Sequence, residues 1–155
     1  MIKVLLTFIF IVILIILHEF SHYLSAKLLN LKINRIGFDL KPIPHCFIEI
    51  GEVLGWKFYV FMYAGSFMTV VMFLLSLYNN FWNIKPICWA FIIQLIIETN
   101  PFYSDFVISF LYRNIKYESK ESCTLAYYKY IFSIKWYLHF LLWSLCIYFI
   151  IHLLL

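Results

Sequence analysis

The chain of 155 residues is 65% hydrophobic and 13% charged, and its mean hydropathy is +0.89. A soluble domain is nearer half apolar and a quarter charged, and a small one leaves much of its surface exposed. The composition therefore argues against a soluble domain and predicts a protein whose surface lies in lipid. The net charge of +4 does not predict nucleic-acid binding, because the lysines and arginines lie between apolar runs.

The first apolar run extends from Val4 to about Leu31 and predicts a membrane helix. It is too long for the core of a signal peptide and lacks a small-residue cleavage site, so we expect it to be retained. Residues 32–56 follow, where prolines, glycines and the β-type sequence at 46–50 predict a strand or hairpin at the membrane face.

Three further spans are predicted. The second covers residues 58–78, where Gly65 and Ser66 give it a small-residue face that another helix can approach closely. The third begins near Pro86, is interrupted at 98–101 and resumes over 102–112, and the backbone groups freed at the interruption need protein or water partners. A polar connection, 113–135, leads to the fourth span at 136–155.

We therefore expect an all-α polytopic membrane protein with about four transmembrane helices, a short β-hairpin-like segment after the first, and a single domain, 1–155. Of the twelve lysines and arginines, all except Lys3 and Lys85 lie near or in the connections after the first and third spans. The positive-inside rule places those ten in the cytoplasm and both termini outside. The cytoplasmic half of the first helix then holds His18 and His22.

The first span carries an H-E-x-x-H motif, His18-Glu19-Phe20-Ser21-His22. Ionisable groups are costly inside a membrane helix and mark functional sites. Histidines four residues apart lie on one helix face, where both imidazoles reach one Zn²⁺, and Glu19 is close enough to act as a base toward water at the metal. The motif predicts one zinc ion per chain, whereas the alternative is a set of buried polar residues that hydrogen-bond between helices.

A catalytic zinc ion usually has three protein ligands, so a third is needed. The chain has two aspartates: Asp39 lies in the cytoplasmic connection, and Asp105 follows the interruption of the third span. This placement favours Asp105 as the third ligand. Glu98, before the interruption, is the alternative, although we expect it to be a partner of the site rather than a ligand.

The order of the motifs resembles the site-2 protease family of intramembrane zinc metalloproteases. The resemblance covers about residues 5–112 and includes the H-E-x-x-H motif, the hairpin-like segment, Ala64-Gly65-Ser66 and Asn100-Pro101-Phe102-Tyr103-Ser104-Asp105. It implies a three-helix catalytic core, with the two histidines and the later aspartate as zinc ligands and the glutamate as base. It also implies that Asn100, with Pro101, orients substrate or water, and it suggests a bacterial plasma membrane.

The chain departs from the family pattern at several points. Phe106 follows Asp105 where the family usually has glycine, and the spacing from Asn100 to Asp105 is short. Ser66 and Thr69 stand where many relatives have proline and asparagine, at positions that concern helix packing and substrate contact.

These features predict a metalloprotease that cleaves a membrane-embedded or membrane-associated peptide or single-span protein, for which a membrane partner protein could supply selectivity. The substrate must be extended, because a helix hides its carbonyls. The strand at 47–50 either pairs with that substrate or is an amphipathic connector. The alternative function is a non-catalytic membrane scaffold or partner-binding subunit. A metal transporter is less favoured, because the second and fourth spans carry few ionisable residues.

The remaining histidines and the polar connection have plainer interpretations. We expect His45 to be a loop histidine, with a neighbour of the substrate or metal as the alternative. We expect His139 and His152 to be helix-packing or interface groups in the fourth span. Residues 117–130 are expected to be a solvated connection, with the docking of a partner as the alternative.

Overall fold

The computed structural model describes residues 2–39, 45–51, 55–102, 104–113 and 128–154. Tyr103 of the family-like motif and residues 117–127 of the polar connection lie outside the described residues. The chain divides into two compact units, Met1–Gln94 and Leu95–Leu155. The described elements, in chain order, are α1 (Ile2–Leu28), β1 (Ile33–Asp39), β2 (His45–Ile50), α2 (Trp56–Tyr78), a 3₁₀ turn (Phe81–Asn83), α3 (Lys85–Glu98), α4 (Asp105–Arg113) and α5 (Ile134–Leu154).

The first unit is built around α1 and α2, which pack against each other. Its apolar cluster joins Leu14 of α1 to Ala90 and Phe91 of α3. At the end of α1, Asn30 adopts a left-handed conformation with φ of 53°. The N–H of Leu31 then bonds to the carbonyl of Ala26 at 2.8 Å, which closes the helix and turns the chain toward β1.

The predicted hairpin is confirmed. β1 and β2 form a two-stranded antiparallel sheet in which Ile36 lies opposite Ile48 and Gly37 opposite Phe47. The pairing is irregular between Ile33 and Arg35. The N–H of Gly51 bonds to the carbonyl of Lys32 at 2.7 Å and closes the open end of the hairpin. The hairpin thus connects α1 to α2 within the first unit.

Among the described residues, α1 and α2 are the two helices long and apolar enough to cross a membrane, judged by length and composition. The predicted third span forms two helices, α3 and α4, and the predicted fourth corresponds to α5. α4 begins at Asp105 rather than at residue 102. The later start has a local cause, since the side chain of Asn100 bonds to the backbone on both sides of Pro101 and Ser104 caps the first turn of α4.

The second unit contains the end of α3, with α4 and α5. Its core joins Val107 of α4 to Tyr130 and to Trp136 of α5. Phe102 and Phe140 pack their rings on Trp136, with ring centroids 5.5 Å and 5.3 Å from it. Aromatic packing therefore joins the turn after α3 to α5.

Candidate metal centre

The two histidines of the motif lie one turn apart on the face of α1 that meets α2. His22 is buried, with 6% of its surface exposed, and His18 is half-buried. Their Nε2 atoms are 3.2 Å apart, and the ring centroids are 4.9 Å apart. The i, i+4 spacing thus turns two ring nitrogens toward one point, as the sequence predicts.

The backbone of α2 orients the ring of His22. Its Nδ1 lies 2.7 Å from the carbonyl oxygen of Phe61. A carbonyl only accepts hydrogen bonds, so Nδ1 carries the hydrogen and, in the neutral ring, Nε2 keeps its lone pair. Zinc-binding histidines are oriented in this way, by a hydrogen bond from the nitrogen that does not bind metal.

The ring of His18 occupies the space that a side chain at Gly65 would need. A Cβ atom at Gly65 would lie 2.6 Å from Cδ2 of His18 and even closer to Cε1 and Nε2. Gly65 is buried within α2, where glycine is otherwise a poor helix former. The small-residue face predicted for the second span is therefore the surface against which His18 packs.

The histidine pair fits zinc. Two zinc–nitrogen bonds of about 2.0–2.1 Å at a tetrahedral angle place the nitrogens roughly 3.3–3.4 Å apart, near the observed separation of 3.2 Å. Two nitrogen lone pairs at this distance repel each other unless a proton or a cation lies between them. The donor type, the spacing and the fixed Nδ1 of His22 are all suited to a metal ion.

Glu19 follows His18 directly and is half-buried. At 100° per residue, its side chain projects about 60° from that of His22 around the axis of α1. It therefore lies beside the face that holds the two rings rather than on the opposite side of the helix. This placement would let its carboxylate act as a base next to the two histidines.

Asp105 is the first residue of α4, in the second unit, and is half-buried. The buried Ser104 caps this helix, because its Oγ accepts a hydrogen bond from the N–H of Val107 at 3.4 Å. A carboxylate in the first turn is favoured by the helix dipole. The alternative ligand, Glu98, is buried at the end of α3.

The turn between α3 and α4 uses the side chain of Asn100. Its Nδ2 donates to the carbonyl of Ile97, and its Oδ1 accepts from the N–H of Phe102 at 3.0 Å. Pro101 has no N–H to return to that carbonyl, so the amide of Asn100 takes its place. Asn100 thus shapes the turn that leads to Asp105, and Pro101 is almost fully buried within it.

Two side chains of α5 complete the hydrogen bonds at the end of α3, a role not assigned to them from the sequence. Nε1 of Trp143 donates to the carbonyl of Ile96 at 3.2 Å, and Nε2 of His139 donates to that of Thr99 at 3.1 Å. Pro101 indicates that nearby backbone carbonyls lack N–H partners within the helix. No sequence pattern identifies side chains 40 or more residues away as the donors that bind these carbonyls.

The other ring nitrogen of His139 bonds to the hydroxyl of Tyr130 at 3.0 Å. A phenol is protonated at neutral pH, and burial raises the pKa of Tyr130 further. Because Nε2 of His139 already donates to the carbonyl of Thr99, Nδ1 of the neutral ring accepts a hydrogen bond from the hydroxyl of Tyr130. Both ring nitrogens of His139 thus form hydrogen bonds that connect α5 to Thr99 and Tyr130.

Comparisons with protein-family models, with curated proteins and with solved structures found no match for this chain.

Proposed function

We propose that the chain is an intramembrane zinc metalloprotease, with His18, His22 and Asp105 as ligands and Glu19 as catalytic base. The observation that carries this proposal is the pair of Nε2 atoms, 3.2 Å apart, with Nδ1 of His22 held by the carbonyl of Phe61. When bound, zinc supplies Lewis acidity toward the scissile carbonyl and lowers the pKa of water.

The chain's own residues have separate tasks in this proposal. His18 and His22 hold the ion with their Nε2 atoms. A carboxylate oxygen of Glu19 takes the proton of the attacking water and later gives it to the leaving nitrogen. The scissile segment must be extended, because a helical segment keeps its carbonyls in its own hydrogen bonds.

Asp105 is the third ligand of the proposed site. In this proposal Asp105 would add one carboxylate oxygen to the two histidine nitrogens, a set of ligand atoms that could hold a metal ion. Two histidines and a carboxylate form a common catalytic zinc set that leaves one position for water or substrate. The buried Glu98 would then be a partner of the site, together with Asn100.

The proposed location is a bacterial plasma membrane, with the active site toward the cytoplasm and both termini outside. Support comes from the two long apolar helices, from their many exposed large hydrophobic side chains and from the charge asymmetry of the sequence. The substrate would be a membrane peptide or a single-span protein.

Metal content tests the zinc site. Detergent-purified protein, prepared without chelators, is expected to carry about one zinc ion per chain by mass spectrometry. His22→Ala and Asp105→Asn should lose it, whereas His152→Ala, which removes an exposed histidine of α5, should keep it. No zinc in the wild-type protein would overturn the proposal, and zinc kept by Asp105→Asn but lost by Glu98→Gln would make Glu98 the ligand.

A second experiment separates the protease from the scaffold. Glu19→Gln keeps the size of the side chain but removes the base, so zinc should remain while cleavage of a membrane peptide falls by at least about a hundredfold. An unchanged cleavage rate would exclude Glu19 as the base. A scaffold would instead leave the wild-type protein without peptidase activity while partner binding is unaffected by Glu19→Gln.

A further inference from the structure

A groove in the first unit, outside the metal centre, joins an apolar floor to two lysines. It runs between the N-terminal parts of α1 and α3 and has a volume of about 480 Å³. Phe8 and Ile11 line it from α1, and Trp89 and Ile93 line it from α3. The apolar lining reaches from Val4 to Ile11 on α1 and from Pro86 to Ile93 on α3, about two helical turns on each side, so the floor is roughly 10 Å long.

Lys3 and Lys85 both line this groove. Lys3 lies in the first turn of α1, and Lys85 is the first residue of α3. Both lysines are exposed, and none of the described residues that line the groove is acidic. One end of an apolar groove therefore carries two positive charges.

The position of these lysines is unfavourable without an anion. The N-terminus of a helix carries a partial positive charge, so a lysine in the first turn is repelled by the helix dipole. Neither first turn has an acidic residue to offset this repulsion. In the proposed orientation these are also the two basic residues assigned to the outer side, where the positive-inside rule predicts few.

We propose that this groove binds an anionic phospholipid. The lysines would contact its phosphate, an acyl chain would lie along Phe8, Ile11 and Ile93, and Trp89 would lie at the boundary between headgroup and acyl chain. Free phosphate would leave the apolar floor exposed. A zwitterionic lipid has no net negative charge to offset the positive charges of the two lysines. The inference rests on the membrane location proposed above and not on zinc or on catalysis.

Native mass spectrometry of the detergent-purified full chain tests the proposal. Phosphatidylglycerol should bind more tightly than phosphatidylcholine with the same acyl chains. The double variant Lys3→Gln/Lys85→Gln should bind phosphatidylglycerol about thirtyfold more weakly, because each lysine near an anionic lipid contributes roughly fivefold in affinity. The matched control Lys32→Gln/Lys129→Gln removes two other exposed lysines and should keep the tight binding.

A groove-filling variant checks the apolar part. Thr7→Trp places a large side chain in the groove while both lysines remain, and it should also weaken binding of phosphatidylglycerol. Equal affinity for the two lipids, equal losses in the lysine pair and its control, or displacement of the lipid by inorganic phosphate would each overturn the proposal. Release of the wild-type chain from membranes by alkaline carbonate would instead overturn the membrane location.

Discussion

Gly65 is the residue of α2 on which the position of His18 depends. A methyl group there would occupy the space of the imidazole ring. Alanine is a better helix former than glycine by about 1 kcal/mol, so Gly65→Ala favours the helix itself. Any loss of metal binding in this variant would therefore come from displacement of His18 and not from unfolding of α2.

We expect Gly65→Ala to lower the zinc affinity by about 10- to 100-fold, the range seen when the support of a metal ligand is changed. Competition with a chromophoric chelator in detergent measures this affinity.

Gly51→Ala is the matched control. A Cβ atom at Gly51 would lie 3.5 Å from the nearest atom of Lys32, an ordinary contact, so zinc affinity should stay unchanged. Wild-type affinity in Gly65→Ala would show that His18 does not need this close approach.

The histidine pair could be predicted from the sequence, whereas the backbone group that orients one of its rings could not. The spacing of His18 and His22 predicts a convergent pair, and the two Nε2 atoms do converge. The carbonyl of Phe61 could not be predicted, because a backbone oxygen has no sequence signature. The role of Asp105 as a ligand stays a prediction.

At the scale of elements, side chains of α5 form hydrogen bonds with carbonyl groups at the C-terminal end of α3. Trp143 and His139 donate to two carbonyls there, and Asn100 donates to a third. A buried carbonyl without a partner costs about 1–3 kcal/mol. The last helix is therefore part of the structure that shapes the turn before Asp105.

His139→Ala should lower the free energy of unfolding by about 1–3 kcal/mol, because it leaves the carbonyl of Thr99 and the hydroxyl of Tyr130 without their partner. Trp143→Phe removes one hydrogen bond and should cost about 1 kcal/mol. Thermal unfolding in detergent, followed by circular dichroism, measures both variants.

His152→Ala is the control, since His152 is exposed on the same helix and should leave the unfolding temperature unchanged. Equal unfolding temperatures for His139→Ala and His152→Ala would contradict the proposed role of the hydrogen bond to Thr99.

Most elements follow from local patterns. The long apolar runs predict α1 and α2, and the β-type sequence at 46–50 lies within β2. α4 begins later than the apolar pattern predicts, because the hydrogen bonds of Asn100 and the cap by Ser104 outweigh the helix-forming tendency of the apolar Phe102. The donors on α5 depend on tertiary packing, which local periodicity does not encode.

At the scale of the whole molecule, the charge distribution predicts a topology. A protease-sensitive tag fused to either terminus should be cut by protease added outside intact spheroplasts, because the positive-inside rule places both ends there. A tag inserted into the polar connection after α4 should be cut only after the membrane is permeabilised. Protection of both terminal tags would reverse the proposed orientation.

The contact between α1 and α2 joins two pairs of residues with the same spacing. His18 meets Gly65, and His22 meets Phe61, so residues four apart on one helix face residues four apart on the other. Sliding α2 along α1 by one turn, about 5.4 Å, would break both contacts together. The register of the helices is thus set at the histidines and not by the length of the chain between them. Insertions in the connecting hairpin should consequently leave the geometry of the pair intact.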